Sequence, residues 1–365
     1  VGTVCTHCSN GCKTTLGVRN NEIVRGNNRD RSGINGEFLC VKGRYAFDFN
    51  HHPERLQTPL IRNAAGELEE ASWSRALKLV AEKFKALAGP KFGVIGSTRT
   101  TNEENFLLQK FARTTLGTAN IDHHRSGDVV ALVDSLSGKT GQLGTVEDIY
   151  TAKAVLVVAT DLSQQHPLLA NKVRANFRHH KAAVYAVTPG PVREDKIARK
   201  FIRAAEGESI AAVEQLREDL TKAGDLVILF GDSIQGDKVR QLVAFGESLG
   251  IPVKYVCLVD YANSRGAMDM GVLPDLGPGY HATAPGLNLQ QMLEATDLAA
   301  LWVVGANPLK GGKTLASKGA FVVVQDLFLT ETAQRADVVL PAGSAYEKNG
   351  TVTNVCGQVQ RIKKG

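Results

Sequence analysis

The sequence predicts an α/β protein: a small, β-rich metal-binding domain at its start, followed by two Rossmann-like α/β lobes. Three observations carry this expectation. Eight short runs rich in Val and Ile alternate with amphipathic stretches from about residue 70 onward. Four of the six cysteines, Cys5, Cys8, Cys12 and Cys40, lie together near the start. The length of 365 residues exceeds one comfortable hydrophobic core, so two or three domains are expected.

Residues 1–62 are rich in Gly, Asn, Arg and Cys and lack helical periodicity. They read as a turn-rich segment with short strands at Ile23-Val24 and Leu39–Val41. Their apolar content is thin, so a bound metal must supply much of their stability. The texture then changes. The runs Phe92–Gly96, Ala154–Ala159, Ala182–Val187, Asp225–Phe230, Val253–Leu258, Ala300–Val304, Phe321–Val324 and Val338–Leu340 are almost continuously apolar. That suits strands covered on both faces of a parallel sheet. Helical patterns lie between them at Trp73–Ala88, Glu103–Leu116, Leu168–Phe177, Ile210–Lys222 and Val239–Leu249. The second opens on a capping box, Thr101-x-x-Glu104, and stops at Gly117. Strand–helix alternation over this length implies a doubly wound architecture, and eight strands are too many for one modest domain. The Gly- and Pro-rich stretches Pro189–Val192 and Leu273–Gly286 read as loops between elements.

The cysteine spacing is C-x2-C-x3-C-x27-C. Three thiolates on one loop and a fourth from a distant turn can close around one centre, either tetrahedral zinc or a [4Fe–4S] cluster. Zinc sites usually use two C-x2-4-C pairs, so the tripod-plus-one arrangement favours the cluster. Sparse cysteine elsewhere fits a reducing compartment, with Cys257 and Cys356 as ordinary buried thiols. His7 lies inside the ligand loop, where it is either a hydrogen-bond donor to a cluster sulfur or a plain loop residue.

Composition, 43% hydrophobic and 22% charged, is that of a globular protein, and no apolar run is long enough to span a membrane. The net charge of +6 is uneven: residues 1–62 hold nine Lys/Arg and five Asp/Glu. Nucleic acid is not the expected partner, because the aromatics Phe38, Tyr45, Phe47 and Phe49 are bunched and no helix carries a basic stripe. The basic surround instead balances metal-bound thiolates. The chain has no initiator Met, no signal peptide is visible, and it is expected to be part of a longer protein.

Nucleotide-binding motifs fail. No G-x-G-x-x-G exists, and Gly138-Lys139-Thr140 and Gly312-Lys313-Thr314 lack the upstream glycine of a P-loop, so each reads as a turn and a helix start. The pairs His51–His52, His123–His124 and His179–His180 point apart on any regular element, so structural or surface roles are expected. Asp326 and Asp337, at strand edges, read as capping or turn residues.

The segment Leu39-Cys40-Val41-Lys42-Gly43-Arg44-Tyr45-Ala46-Phe47-Asp48-Phe49, followed by His52-Pro53-Glu54-Arg55-Leu56 and Thr58-Pro59-Leu60-Ile61, resembles the start of the molybdopterin oxidoreductase superfamily. Formate dehydrogenases and the large iron–sulfur subunit of respiratory complex I belong to that superfamily. The resemblance recurs at Thr101–Asn105, His166-Pro167, Gly266–Gly279, Val304–Leu309 and Gln325–Gly350. It implies that Cys5, Cys8, Cys12 and Cys40 ligate one [4Fe–4S] cluster, with Lys42 beside it. It also implies the superfamily scaffold with its domains I to III: 1–62 joined by about 342–365, then 63–121 with about 262–341, and 122–261.

Two departures from the superfamily pattern bear on activity. The stretch that binds molybdenum in formate dehydrogenases through a cysteine or selenocysteine is here Asp122-His123-His124-Arg125-Ser126-Gly127-Asp128, with Asp128 at the ligand position and Val129 in place of the catalytic His. The Asp-Pro-Arg that holds the guanine end of the pterin dinucleotide is Thr188-Pro189-Gly190, and the turn before it is Ala159-Thr160-Asp161, which sets an acid where phosphates would lie. A kept cluster and an eroded active site are similar to the large iron–sulfur component of bacterial NADH:quinone oxidoreductase. That likeness implies no molybdenum or molybdopterin guanine dinucleotide, other peripheral-arm subunits as partners, and a place on the cytoplasmic face of the inner membrane. The alternative is an active molybdenum or tungsten enzyme, formate dehydrogenase- or nitrate reductase-like, using Asp128.

Overall fold

The computed structural model describes residues 1–365. Strands β1 (Gly2–Val4), β2 (Lys13–Arg19) and β3 (Glu22–Asn27) form an antiparallel sheet around the cysteine loop. Strands β4 (Leu60–Arg62), β5 (Leu68–Glu70), β6 (Phe92–Gly96) and β7 (Ile121–His123) begin a second sheet. The chain then builds a separate five-stranded parallel sheet from β8 (Ala154–Val158), β9 (Ala183–Thr188), β10 (Ala198–Arg203), β11 (Leu226–Phe230) and β12 (Val253–Cys257). It returns to the second sheet with β13 (Ala300–Val304), β14 (Phe321–Asp326) and β15 (Val338–Pro341), and ends in the hairpin β16 (Gly350–Thr353) and β17 (Val359–Ile362).

All eight apolar runs are strands, and β6, β8 and β11 are buried along their whole length because helices cover both sheet faces. The five-stranded order is β10-β9-β8-β11-β12, and the seven-stranded order is β5-β4-β15-β14-β13-β6-β7 with β4 and β5 antiparallel at one edge. Each sheet reverses direction of winding once, between β8 and β11 in one and between β6 and β13 in the other. In doubly wound sheets, ligands bind outside the carboxyl ends of the strands at such points.

Helix α1 (Val41–Tyr45) stands where the sequence suggests a strand at Leu39–Val41. Cys40 ends the extended chain, and its carbonyl accepts from the Arg44 N–H at 3.1 Å, starting a turn that wraps the cysteine site. Helices α2 (Trp73–Leu87) and α3 (Asn102–Thr114) flank the seven-stranded sheet, and the Thr101/Glu104 capping box is formed in both directions. The stretch expected as one helix over Ile210–Lys222 breaks into Ser209–Val213, a 3-10 turn and Arg217–Thr221. The two Gly-Lys-Thr segments are turns with positive φ at Gly138 and Gly312, and neither starts a helix. No helix is long and apolar enough to cross a membrane.

Candidate cluster site and adjoining crevice

The loop from Cys5 to Cys12 folds back on itself, with the Cys5 N–H donating to the Cys12 carbonyl at 2.8 Å. The terminal hairpin clamps it. Val355 N–H donates to the Ser9 carbonyl at 2.8 Å, and Gln360 Nε2 donates to the Gly11 carbonyl at 2.8 Å. Gly11 has φ +70°, and a Cβ there would collide with Gln360 and Asn354. His166 fastens the same loop to the five-stranded lobe through Nε2, 3.2 Å from Ser9 Oγ and 3.0 Å from the Val259 carbonyl. Cys40 arrives from the other side on α1. Gly43 faces inward there, with room for a Cβ only 3.3 Å from Cys5 Sγ.

The sequence-predicted ligands are thus brought together. Cys5 and Cys12 are buried, and Cys8 and Cys40 are half-buried. Burial pushes the Cys5 thiol up to about 12 and the Cys8 thiol up to about 11, with repulsion from the neighbouring cysteines adding to each. Burial raises Cys12 as well, and it feels Cys8, Cys5 and Cys40. Thiols so placed hold their protons until a cationic centre displaces them. No three His, Cys, Asp or Glu side chains converge tightly enough to hold one ion. A zinc site needs its sulfurs about 2.3 Å from a common point.

Lys42 is exposed on α1, and its charge favours the Cys8 thiolate and disfavours protonation of His7. His7 Nε2 is buried without a hydrogen-bond partner and packs edge-on to Phe49. Burial holds its imidazole below the usual range, and Arg99 and Lys42 act in the same direction. His7 lines a cavity of about 360 Å³ that joins the cysteine loop to the carboxyl ends of β6, β13 and β14. A second cavity of about 460 Å³ continues past Ser97, Gly305, Asn307, Lys310 and Lys313. Arg99 and Asp326 line both, and Arg99 lies over the Tyr261 ring at 4.7 Å. Neither Arg99 nor the crevice lysines carry a motif signal. Only the strand order brings them together.

Asp337 ties two strands together: its carboxylate accepts from the Val322 N–H of β14 at 2.7 Å. Asp326 accepts from the Leu327 N–H at 2.7 Å but also faces the crevice. Burial pushes its carboxyl up to about 6, against the Leu327 amide and Arg99, which favour the charged form. The folded chain therefore holds this proton more tightly than the unfolded chain. The stability it contributes is present below the ordinary Asp value and is lost as pH rises through about 6. Asp326→Asn should leave the melting temperature near wild type at about pH 4 and raise it at about pH 8, by at most about 2–3 kcal/mol of stability. A pH-independent difference between the two proteins would contradict this assignment.

In the five-stranded lobe the backbones just past β8 and β11 run close together. Ala159 sits at φ +53°, and its carbonyl lies where a Cβ on Gly231 would stand. Asp161 does not reach across a crevice. It caps the helix Leu162–Gln165, accepting from the Gln164 N–H at 3.1 Å. The Thr188-Pro189-Gly190 turn closes on itself, Thr188 Oγ1 donating to the Gly190 carbonyl at 2.8 Å. Arg203 reaches Thr188 from β10 but pairs with Asp195.

In the stretch 122–128, Asp122 is buried, accepts from the Leu289 N–H at 2.9 Å, and lies 3.3 Å from Arg125 Nε. His123 is fully buried with Nδ1 2.7 Å from the Val272 carbonyl, while His124 is exposed beside Tyr261. Asp128 is the N-cap of helix α4 (Val129–Ser135). One carboxylate oxygen accepts from the Ala131 N–H at 2.9 Å and the other from the Gly236 N–H at 2.8 Å. The remaining histidine pairs lie at the surface, His179 and His180 both bonding to Tyr150. Cys257 is buried, but Cys356 is only partly so.

Residues 1–52 match the molybdopterin oxidoreductase Fe4S4 domain and residues 55–365 match the molybdopterin oxidoreductase family itself. The chain belongs to the molybdopterin oxidoreductase family. Among curated family members it is 30% identical to the F420-dependent formate dehydrogenase subunit alpha of Methanocaldococcus jannaschii, over 458 aligned positions covering 100% of the chain and 67% of that protein. It is 30% identical to formate dehydrogenase H of Escherichia coli over 467 positions, covering 100% of the chain and 65% of that protein. Against an NADH-quinone oxidoreductase subunit of Streptomyces coelicolor it is also 30% identical, over 416 positions covering 98% of the chain and 49% of that protein. The fold matches the acetylene hydratase of Pelobacter acetylenicus with a TM-score of 0.68 at 16% identity, over 100% of the chain and 66% of that structure. This family membership brings with it the mixed α/β scaffold and the Fe4S4 domain.

Proposed function

We propose that this chain is the cluster-bearing part of the large iron–sulfur component of an NADH-quinone oxidoreductase. In this reading Cys5, Cys8, Cys12 and Cys40 hold one [4Fe–4S] cluster, and the molybdenum position has become a structural joint. The observation that carries it is the state of Asp128. Both of its carboxylate oxygens accept backbone N–H groups, and no cysteine stands in the six residues before it. Alignment length is in keeping with it. The alignment to formate dehydrogenase H runs to 467 positions, so at least 102 lie opposite gaps in this chain of 365 residues, and the one to the Streptomyces oxidoreductase component runs to 416, with at least 51.

Within that reading the cluster carries single electrons, and the chain's own residues supply the setting. The loop and α1 exclude water from Cys5 and Cys12, Lys42 offsets the negative thiolates, and the hairpin β16–β17 fixes the loop. Other peripheral-arm subunits of the complex are the implied partners. Metal analysis of protein purified without oxygen should give about four irons per chain and no stoichiometric molybdenum or tungsten. Stoichiometric molybdenum with an extractable pterin would overturn the proposal.

One observation favours a second reading, an active formate dehydrogenase-like enzyme. The β6/β13 crevice is open and carries Arg99, Lys310 and Lys313, cations suited to a phosphorylated cofactor. That reading requires bound molybdenum and formate-dependent dye reduction that disappears in Asp128→Ala.

A further inference from the structure

We infer that the apolar groove between α2 and α3 is a docking site for an amphipathic helix of another protein, one with acidic residues along the flanks of its apolar stripe. The inference is independent of the cluster assignment and fits either proposed function. Trp73, Leu77, Val80 and Phe84 form one stripe of α2 at spacings of four, three and four, the period of a helix face. They line a groove of about 740 Å³ whose floor is Trp302 of β13, Gln325 of β14 and Leu340 of β15. Phe111 of α3 is its far wall. The Trp302 ring lies 5.5 Å from Phe84 and 5.9 Å from Phe111, so the indole sits between the two helices. A second hollow of about 500 Å³ shares Phe111, Trp302 and Gln325 and carries the groove along α3 to Leu107. Core side chains would be covered, but Trp73 is 45% exposed, Leu77 50% and Leu107 62%. A run of exposed apolar side chains lining a groove between two helices has the form of a partner site.

The groove's own chemistry selects the occupant. An extended peptide needs backbone donors and acceptors from a sheet edge. β13 and β14 are inner strands paired on both sides, and the walls are helices, so the groove offers side chains alone. A helix satisfies its backbone internally and needs nothing more from such a surface. α2 runs 15 residues, so an occupant of about four turns matches its length. Two lysines set the charge: Lys85 of α2 and Lys110 of α3 both line the groove. The ion pairs of these helices are Arg75–Glu69 and Lys348–Glu104, which leave both lysines free. Glu104 is the one acid in the lining, and Lys348 neutralises it at 2.8 Å. Uncompensated cations beside an apolar floor favour acidic flanks on the occupant and steer their approach. A second copy of this chain is a poor match, since pairing the face with itself sets lysine-bearing surfaces against each other. A lipid surface takes up a protruding apolar face, whereas this one is recessed, with Phe84 and Leu340 buried at its base.

The chain reports on this site directly, because Trp73 and Trp302 are its only two tryptophans and both line the groove. The probe is a capped, Trp-free synthetic peptide of about 15 residues, with Leu at i, i+4, i+7 and i+11 and Glu on both flanks, titrated into the intact chain. Tryptophan emission should shift to the blue and saturate, and circular dichroism should show the peptide gaining helix. The double variant Leu77→Ser/Leu107→Ser should weaken binding about tenfold or more, since apolar anchors dominate such contacts. Lys85→Glu/Lys110→Glu should also weaken it about tenfold, and raising NaCl from about 50 to 300 mM should act in the same direction. All four side chains are exposed, and thermal melts check that each variant folds. A peptide with Lys in place of Glu, phosphatidylglycerol vesicles and sedimentation of the chain alone are the controls. An absent shift, equal binding by the variants, tighter binding of the Lys peptide, preference for vesicles, or self-association that Leu77→Ser/Leu107→Ser abolishes each overturns the inference.

Discussion

Cys40→Ser should strip the cluster and unfold the first domain while leaving both lobes intact. Cys5, Cys8 and Cys12 share one loop, and in the proposed cluster Cys40 is the ligand that ties that loop to α1. The first domain's apolar support is thin. The apolar cores beneath β1–β3 are Val4 with Val352 and Ile362, and Leu16 with Ile23 and Tyr346. The five-stranded lobe, in comparison, has a continuous core of 44 buried residues, so its stability does not depend on the metal. Where a small domain takes its folding energy from bound metal, losing the site costs about 4–5 kcal/mol or more locally. Iron and acid-labile sulfide should fall to background, and proteases should cut within residues 1–50. Hydrogen exchange should rise in β1–β3 and also in β16–β17, because the hairpin is bonded to Ser9 and Gly11. Strands β8 and β11 should stay protected. Equal protease resistance of wild type and variant in the first domain would rule out the metal as its source of stability, and Cys356→Ser serves as the control that retains the cluster.

The eight central strands are legible in the sequence because a parallel sheet covered on both faces demands unbroken apolar runs, and such runs have few other uses. Two strands of the α/β sheets that carry no sequence signal lie at sheet edges. Ala198–Arg203 is mostly exposed, and its Arg and Lys residues are what a free sheet edge tolerates, so no apolar pattern marks it. Ile121–His123 is three residues long and largely polar. The proposed cysteine ligands stand out in the sequence because three of them lie within eight residues, Cys5 to Cys12. The crevice is not, because Ser97, Gly305 and Asp326 sit at the ends of strands far apart in sequence and are neighbours only through the β14-β13-β6 order. Leu39–Val41 misleads for a related reason: a short apolar segment looks like a strand until the chain is seen to turn into α1 beside the cysteine loop. Asp161 misleads because a side chain just past a strand can either face a ligand or cap the next helix, and only geometry separates the two.

Asp128 presents the same ambiguity with more at stake, and its replacement should separate the two proposed functions. Its two oxygens join the start of α4 to the Gly236 N–H, which opens the helix Asp237–Ser248. Those partners lie 108 residues apart, so no local pattern announces the joint. Loss of an N-cap costs about 1 kcal/mol and up to about 2, and leaving the Gly236 donor without its charged acceptor adds about 1–3 kcal/mol. Asp128→Ala should therefore destabilise the five-stranded lobe by about 2–4 kcal/mol in denaturant unfolding. Asp128→Asn keeps one acceptor oxygen and should lose about half as much. Iron content and the electron paramagnetic resonance signal of the reduced protein should be unchanged in both, because Asp128 lies in the other lobe's helix layer and not among the cysteines. A metal ligand would behave in the opposite way: its loss would remove bound molybdenum and activity while costing the fold little. A variant of wild-type stability that has lost a metal would place the carboxylate at a working active site. An unstable variant with its iron intact would mark Asp128 as the joint that replaced one.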